Sequence, residues 1–191
     1  MDKHKAELAI KAFLEALDQD LTDPNLKDTP KRVTKMFAEE LLTHKPFETA
    51  VGSQFVSVFD INVASLCSHH LQPITGKAHI GTFYIADSNN NVKLPGLSKY
   101  ARVVDKFARK LQLQERMTFQ ICEFIYEAFM ADFVYVHIDC KHGCMSHRGI
   151  KDVNSNTTTT YLLTTPRYKS GDFDARSMIN DFYHQLSVRS R

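Results

Sequence analysis

Nowhere does this chain carry an apolar run approaching the roughly 20 residues that cross a bilayer as a helix, which speaks against a helical membrane protein. It also lacks an excess of one charge sign. Its 24 basic residues face 22 acidic ones, for a net charge of +2. That balance speaks against a general nucleic-acid-binding or membrane-binding surface, while leaving room for a local basic pocket. The opening stretch, "MDKHKAELAIK", has neither the apolar core nor the small-residue cleavage site of a secretory signal. The expectation is therefore a cytosolic protein, in a compartment where thiols stay reduced. Cysteine is scarce, with four in 191 residues. Cys67, Cys122, Cys140 and Cys144 thus read as core or metal residues before they read as disulfides. Neither repeats nor a low-complexity tract appear. Against these absences stand 43% hydrophobic residues, enough for a real core. The length fits one domain, or one domain with an appendage.

Hydrophobic spacing sets the expected elements. Ile10, Phe13, Leu14, Leu17 and Leu21 recur at helical period and predict a helix over 5–21. "DPNLKDTPKR" interrupts it. Thr29 as N-cap and Pro30 at the first helical position then predict a second helix to about residue 43. Residues 44–53 read as a loop. From 54 to 87 the pattern turns to β, with "QFVSVFDI" and "KAHIGTFYIA" as the clearer strands, and "DSNNN" is a turn. Helices follow over 98–112 and about 115–130, the first with Tyr100, Val103, Val104, Phe107 and Leu111 on one face. "DFVYVHID" and the β-branched "NTTTTYLLTT" are strands, and a last helix is expected over 173–187. The order predicts an α+β fold with an antiparallel sheet. A helical arm, residues 1–50, precedes a domain over 51–191.

Two segments carry the chemistry. "CSHH" places Cys67 and His70 at C-x2-H spacing, at the expected end of a strand. "CKHGCMSHRG" offers Cys140, His142, Cys144 and His147. Brought together, they supply three or more soft and borderline ligands, a set that suits zinc. Three protein ligands leave a fourth position for water, the catalytic pattern. Four close the site into a structural clip, and coincidence is the third reading. Cys122, mid-helix, reads as a small buried hydrophobe. His79 and His137 read as packing or surface residues within strands.

Longer stretches bear on these readings by resemblance. "DTPKRVTKMFAEEL", "CSHHLQPITGKAHI", "LPGLSKYARVVDKFARKLQLQERMTFQI" and "HGCMSHRGIKDVNSNTTTT" resemble the type I GTP cyclohydrolase family, in that order, over about residues 10–165. The resemblance implies the tunnelling fold, a sheet backed by paired helices on one face. It implies assembly into rings, commonly decamers of two pentamers, with sites between subunits. The implied activity opens the imidazole ring of GTP with water, releases formate and closes a pterin ring, giving 7,8-dihydroneopterin triphosphate. That product feeds folate, biopterin-type cofactors and 7-deazaguanine bases. Carried over position by position, Cys67, His70 and Cys144 become ligands of a Zn²⁺ cofactor. His69 and His142 become acid–base residues. Arg32, Ser98, Lys99, Arg102 and Arg148 fall at triphosphate contacts, and Gln114 and Glu115 fall where guanine is read.

The implied chemistry suits these residue types. Water attacking C8 of a purine needs activation, which a zinc ion supplies. A histidine titrates near the working pH and can pass protons through the later steps. Arg pairs phosphate oxygens in a bidentate fashion while Lys acts as a point charge. Backbone amides at the start of the Ser98 helix favour an anion. A carboxylate at Glu115 accepts both adjacent donors of guanine, N1–H and the amine. Some positions depart from the family. Ser68 stands where a Glu is usual, Ile74 replaces an aromatic, and His147 replaces a small or apolar residue. The region before residue 28 is short for the family, so a regulatory extension is expected to be missing. Cys140 adds a thiol that is expected not to ligate, since a fourth protein ligand would displace the water. Two other readings stay open: a divergent relative acting on another purine nucleotide, and a zinc-stapled scaffold without catalysis.

Overall fold

The computed structural model describes residues 2–41, 52–166 and 174–189. The chain divides into two compact units, Met1–Ala50 and Val51–Arg191. In the first, α1 (Lys3–Ala16) begins where the Asp2 carboxylate accepts the Lys5 amide at 2.9 Å. Helical period predicts a helix to residue 21, but α1 ends five residues earlier. Asp18 takes a left-handed φ of 55°. Beyond it, Asp20 and Asp23 accept the Thr22 and Asn25 amides at 2.8 and 2.7 Å. Such side-chain turns compete with helical hydrogen bonding. In α2 (Thr29–Met36), Pro30 lies in the first turn as expected, but Asp28 rather than Thr29 is the N-cap. A π-helical turn, Phe37–Leu41, follows. Both the expected helix end near 43 and residues 44–51 of the expected loop lie outside the described residues.

The second unit is built on a five-stranded sheet in the order β3-β1-β2-β4-β5. Its long strands are β1 (Gln54–Cys67), β2 (Pro73–Tyr84), β4 (Phe133–His142) and β5 (Thr157–Thr164). From Ile61 to Cys67, buried and exposed residues alternate strictly, as a sheet with one face on the core requires. β1 pairs with β2, β2 with β4, and β4 with β5, all antiparallel. Helices α3 (Ser98–Ala108) and α4 (Gln114–Phe129) lie on one face. Their Tyr100, Val104, Met117, Ile121 and Ile125 pack with Val63, Ile80, Val136 and Ile138. A short helix, α5 (Gly143–Ser146), follows β4. The terminal helix α6 (Ala175–Arg189) adds cover on the opposite face, where Phe182 packs with Phe83, Phe133 and Tyr135. Among the described residues, no helix is long and apolar enough to cross a membrane.

Strand β3 (Leu111–Gln112) departs from the expected helix over 98–112. The helix stops at Ala108, and Leu111 and Gln112 pair parallel to Leu66 and Cys67. Gln112 is the physical reason. Its side chain is fully buried, donating to the Phe107 carbonyl at 2.8 Å and accepting from Arg116 Nε at 3.0 Å. A buried amide must be paired, and those partners hold the segment extended.

Candidate metal centre and active site

The sheet order converts two distant segments into neighbours. β1 ends at Cys67 and β4 ends at His142, with the start of β2 between them; Leu66 faces Pro73, and Ile74 faces His142. Cys67 is held on both sides. Its amide donates to the Gln72 carbonyl at 2.8 Å, and the following Ser68 amide donates to Gln112 O of β3 at 2.9 Å. The link 68–72 turns through Leu71, whose φ of 54° is left-handed, with its amide returned to Cys67 O at 2.8 Å. Across the gap, α5 begins at Gly143. A Cβ there would meet Pro73 Cδ at 3.0 Å and Gln72 Cβ at 3.2 Å. The absence of a side chain therefore lets the Cys144 turn lie against the 68–72 link.

One ligand atom from each of Cys67, His70 and Cys144 lies within 4.8 Å of the others. Cys67 is buried, Cys144 half-buried and His70 exposed. Burial first, then the adjoining Cys67 sulfur, raises the Cys144 thiol above its ordinary value; Arg148 acts in the opposite sense. Two adjoining sulfurs form a site for a cation, because a metal ion offsets the repulsion between thiolates and takes both in that form. Two cysteines and one histidine fit a divalent transition ion, so the group can hold a metal.

The remaining expected residues are spread over both units. Beside the ligand group, His69 is exposed, its ring centroid 6.2 Å from that of His70. His142 is half-buried at the end of β4, held below the ordinary histidine value by burial while the Glu115 carboxylate pulls the other way. Glu115 lies exposed in the first turn of α4, and Arg148 is exposed just past α5. Gln114 is 1% exposed, and its Oε1 lies 2.6 Å from His142 Nε2.

Ser98, Lys99 and Arg102 are exposed at the start of α3, at the other end of the sheet. There the Tyr100 hydroxyl bonds that of Tyr84 at 2.8 Å. Lys99 lines a cleft of about 710 Å³ with Lys93 and Tyr126. The amides of Lys99 and Tyr100 are already taken by Gly96 O and Leu97 O at 2.9 and 3.3 Å, so this helix start presents fewer free N–H groups than expected. Arg32, in the first unit, donates to Asn25 O at 2.7 Å and Thr29 Oγ1 at 3.1 Å.

Cys140 lies outside the ligand group, buried over Gly76. Cys122 is a core residue with its thiol pushed up to about 12 by burial. Two contributors escaped the sequence reading. Gln112 anchors Cys67 from the side, and Gly143 permits the close approach. The signal for Gln112 was a polar residue on an otherwise apolar face.

The family model for GTP cyclohydrolase I matches residues 6–174. The chain belongs to the GTP cyclohydrolase I family. A protein named GTP cyclohydrolase 1 from Carboxydothermus hydrogenoformans is 43% identical over 168 residues, covering 84% of this chain and 85% of that one. Another of that name, from Streptococcus agalactiae serotype V, is 40% identical over 187 residues, 94% of this chain and 96% of its own length. Among solved structures, the archaeosine synthase QueF-Like in its apo form matches 61% of this chain and 98% of its own. It does so at 10% identity with a TM-score of 0.42, too loose a likeness to carry an argument.

Proposed function

We propose that the protein is a cytosolic, zinc-dependent hydrolase converting GTP and water into 7,8-dihydroneopterin triphosphate and formate. The observation that carries this reading is the convergence of Cys67, His70 and Cys144 within 4.8 Å in a chain of this family. A zinc ion held by these three supplies Lewis-acid activation of water. Around it, this chain's side chains divide the work. His69, exposed beside a ligand, takes a proton from the attacking water. His142 gives a proton to N7 of the purine, which makes C8 electrophilic. Glu115 accepts N1–H and the exocyclic amine of guanine. Adenine would leave that carboxylate facing an acceptor, at a cost of a few kcal/mol. Arg32, Ser98, Lys99, Arg102 and Arg148 offset the triphosphate charge.

Self-association belongs to the same reading: a tunnelling fold closed into a ring, a decamer of two pentamers, with sites between subunits. Support comes from the length of the sheet. Ser98 and Lys99 sit beside the Tyr84 end of β2, whereas Cys67 and His142 sit at its Pro73 end. Helix and strand rise put these ends roughly 20–30 Å apart. One chain therefore does not bring its own α3 start to its own metal ligands, and a second copy supplies it.

Incubating the pure protein with zinc and GTP, dGTP or ATP, and following formate, tests the activity. Formate from GTP, and little from ATP, is expected. None from GTP in the presence of zinc overturns the proposal, and release from another nucleotide alone points to a divergent relative.

A further inference from the structure

The resemblance puts Gln114 at a base contact, yet its surroundings give it different work. We propose that Gln114 is a positioning residue: it fixes the ring orientation of His142 by holding hydrogen on Nε2, so that Nδ1 is the nitrogen that takes up and gives away the working proton. This rests on the hydrolase reading above, because it assigns the working atom of that reaction's acid–base histidine.

A chain of hydrogen bonds with determined direction carries the inference. Gln114 Nε2 lies 2.8 Å from the Thr157 carbonyl and 3.1 Å from the Ile138 carbonyl. Carbonyl oxygens only accept, so this end of the amide is the NH2 group. It also lies 3.1 Å from Thr159 Oγ1. The Thr118 hydroxyl donates to the Gln114 main-chain carbonyl at 2.8 Å. Its single proton is thereby used, so across the 2.6 Å contact with Thr159 it is the acceptor and Thr159 the donor. Thr159 then offers a lone pair to the Gln114 amide. Every proton in the cluster has a direction, and Oε1 is left as an acceptor facing His142 Nε2 at 2.6 Å. Nε2 must carry hydrogen. With the amide protons shared among three protein acceptors and the side chain 1% exposed, no donor remains for a nucleotide base.

The arrangement is also rigid. Thr157 and Thr159 belong to β5, Ile138 to β4 and Gln114 to the first turn of α4. Three elements thus hold the amide that aims the ring. An unaimed imidazole costs rate rather than binding, because proton transfer depends steeply on geometry.

Two measurements test this. Nitrogen-15 NMR of histidine-labelled, zinc-loaded protein, with His142 assigned by difference from a His142→Gln sample, reads the tautomer directly and needs no turnover. Hydrogen on Nε2 is expected; a neutral ring with hydrogen on Nδ1 alone overturns the proposal even if GTP is hydrolysed. Kinetics of Gln114→Met, after checking its zinc content and melting temperature, give the second readout. A kcat loss of roughly 100-fold is expected with KM for GTP little changed and the GTP-to-ITP preference retained. ITP lacks the exocyclic amine, so a variant that loses that preference, or loses KM instead of kcat, makes Gln114 a base reader and refutes the assignment. Should Gln114→Met not fold, the wild-type tautomer still decides. Absence of formate from wild-type protein would sink the hydrolase reading, not the tautomer.

Discussion

Replacing Gly76 by Ala sets one methyl against backbone, and the structure gives the size of the collision. An added Cβ would lie 2.0 Å from the Asp139 carbonyl oxygen and 2.7 Å from both Cα and Sγ of Cys140. Unstrained carbon contacts sit at about 3.5–4.0 Å, so the overlap exceeds an ångström. No rotamer moves a Cβ, and two of the three obstacles are main chain. Strands β2 and β4 must therefore part where Gly76 faces Cys140. Overpacking of this kind costs about 1–3 kcal/mol. Losing two ladder hydrogen bonds adds about 1 kcal/mol each, giving a total of about 3–5 kcal/mol. For a chain of this size each kcal/mol lowers the melting temperature by about 2–4 °C, so a fall of about 6–20 °C is expected. Thermal unfolding by circular dichroism measures it, at one protein concentration with zinc in excess. Gly96→Ala is the control: its Cβ would meet nothing within 4 Å, and a change below about 0.5 kcal/mol is expected. The pair Ile74–His142 lies two residues from the wedge, so Gly76→Ala should also bind zinc more weakly. A Gly76→Ala protein melting within about 2 °C of its parent refutes the reasoning.

Metal analysis after gel filtration distinguishes the cysteines. Cys67→Ser and Cys144→Ser should each lose stoichiometric zinc, while Cys140→Ala keeps it at a stability cost of about 1 kcal/mol. Cys140 lies outside the ligand group, buried over Gly76; loss of zinc from Cys140→Ala would make it a ligand. Stability should also fall on acidification. His79 and His137 are 6% and 9% exposed with ring centroids 5.7 Å apart, and burial holds both below the ordinary histidine value. The nearby Asp60 and Asp139 carboxylates pull His79 upward, and Lys77 pushes it down. Tyr183 of α6 adds a contact, its hydroxyl 3.2 Å from His137 Nδ1. The unfolded chain thus binds protons near pH 6.5 that the folded one refuses, and stability is lost as pH drops through that value. The melting temperature should decline from pH 7.5 to 5.5, less steeply in a His79→Gln, His137→Gln variant; an equal slope there would clear the histidines.

Long periodic elements were legible, and local competition was not. Met117, Ile121 and Ile125 of α4 announce themselves because burial on one helical face leaves a period that nothing else produces. The end of α1 did not, since Leu17 and Leu21 continue the period while Asp18, Asp20 and Asp23 draw the backbone into turns. The same holds at the site. C-x2-H and the Cys144 segment name candidate ligands. That they meet depends on β2 lying between β1 and β4, and on Gly143 being bare enough to touch Pro73. Pairing order and close approach are long-range facts that no short window of residues contains. Gln112 and Gln114 show the limit most sharply. Both are polar residues inside apolar patterns, and what each does follows only from the carbonyls around it.

Those two glutamines also divide the site into fixed and adaptable parts. Cys67 is locked through β2 on one side and, by way of buried Gln112, through β3 on the other. His142 is locked through Gln114 to three elements. His70 has no such frame; it is exposed on a five-residue link beside Leu71 in the left-handed region. A tetrahedral ion admits little variation in ligand direction. On the proposed reading, the adjustment on metal binding would fall to His70 of the link, while Cys67 and His142 keep their places. Ser68 stands at the junction of the two regimes, its amide pinned to Gln112 O and its side chain exposed. A residue there is tied to the rigid part by its backbone whatever its side chain, so exchanging Ser68 for an acidic residue alters the field around the ion without moving Cys67.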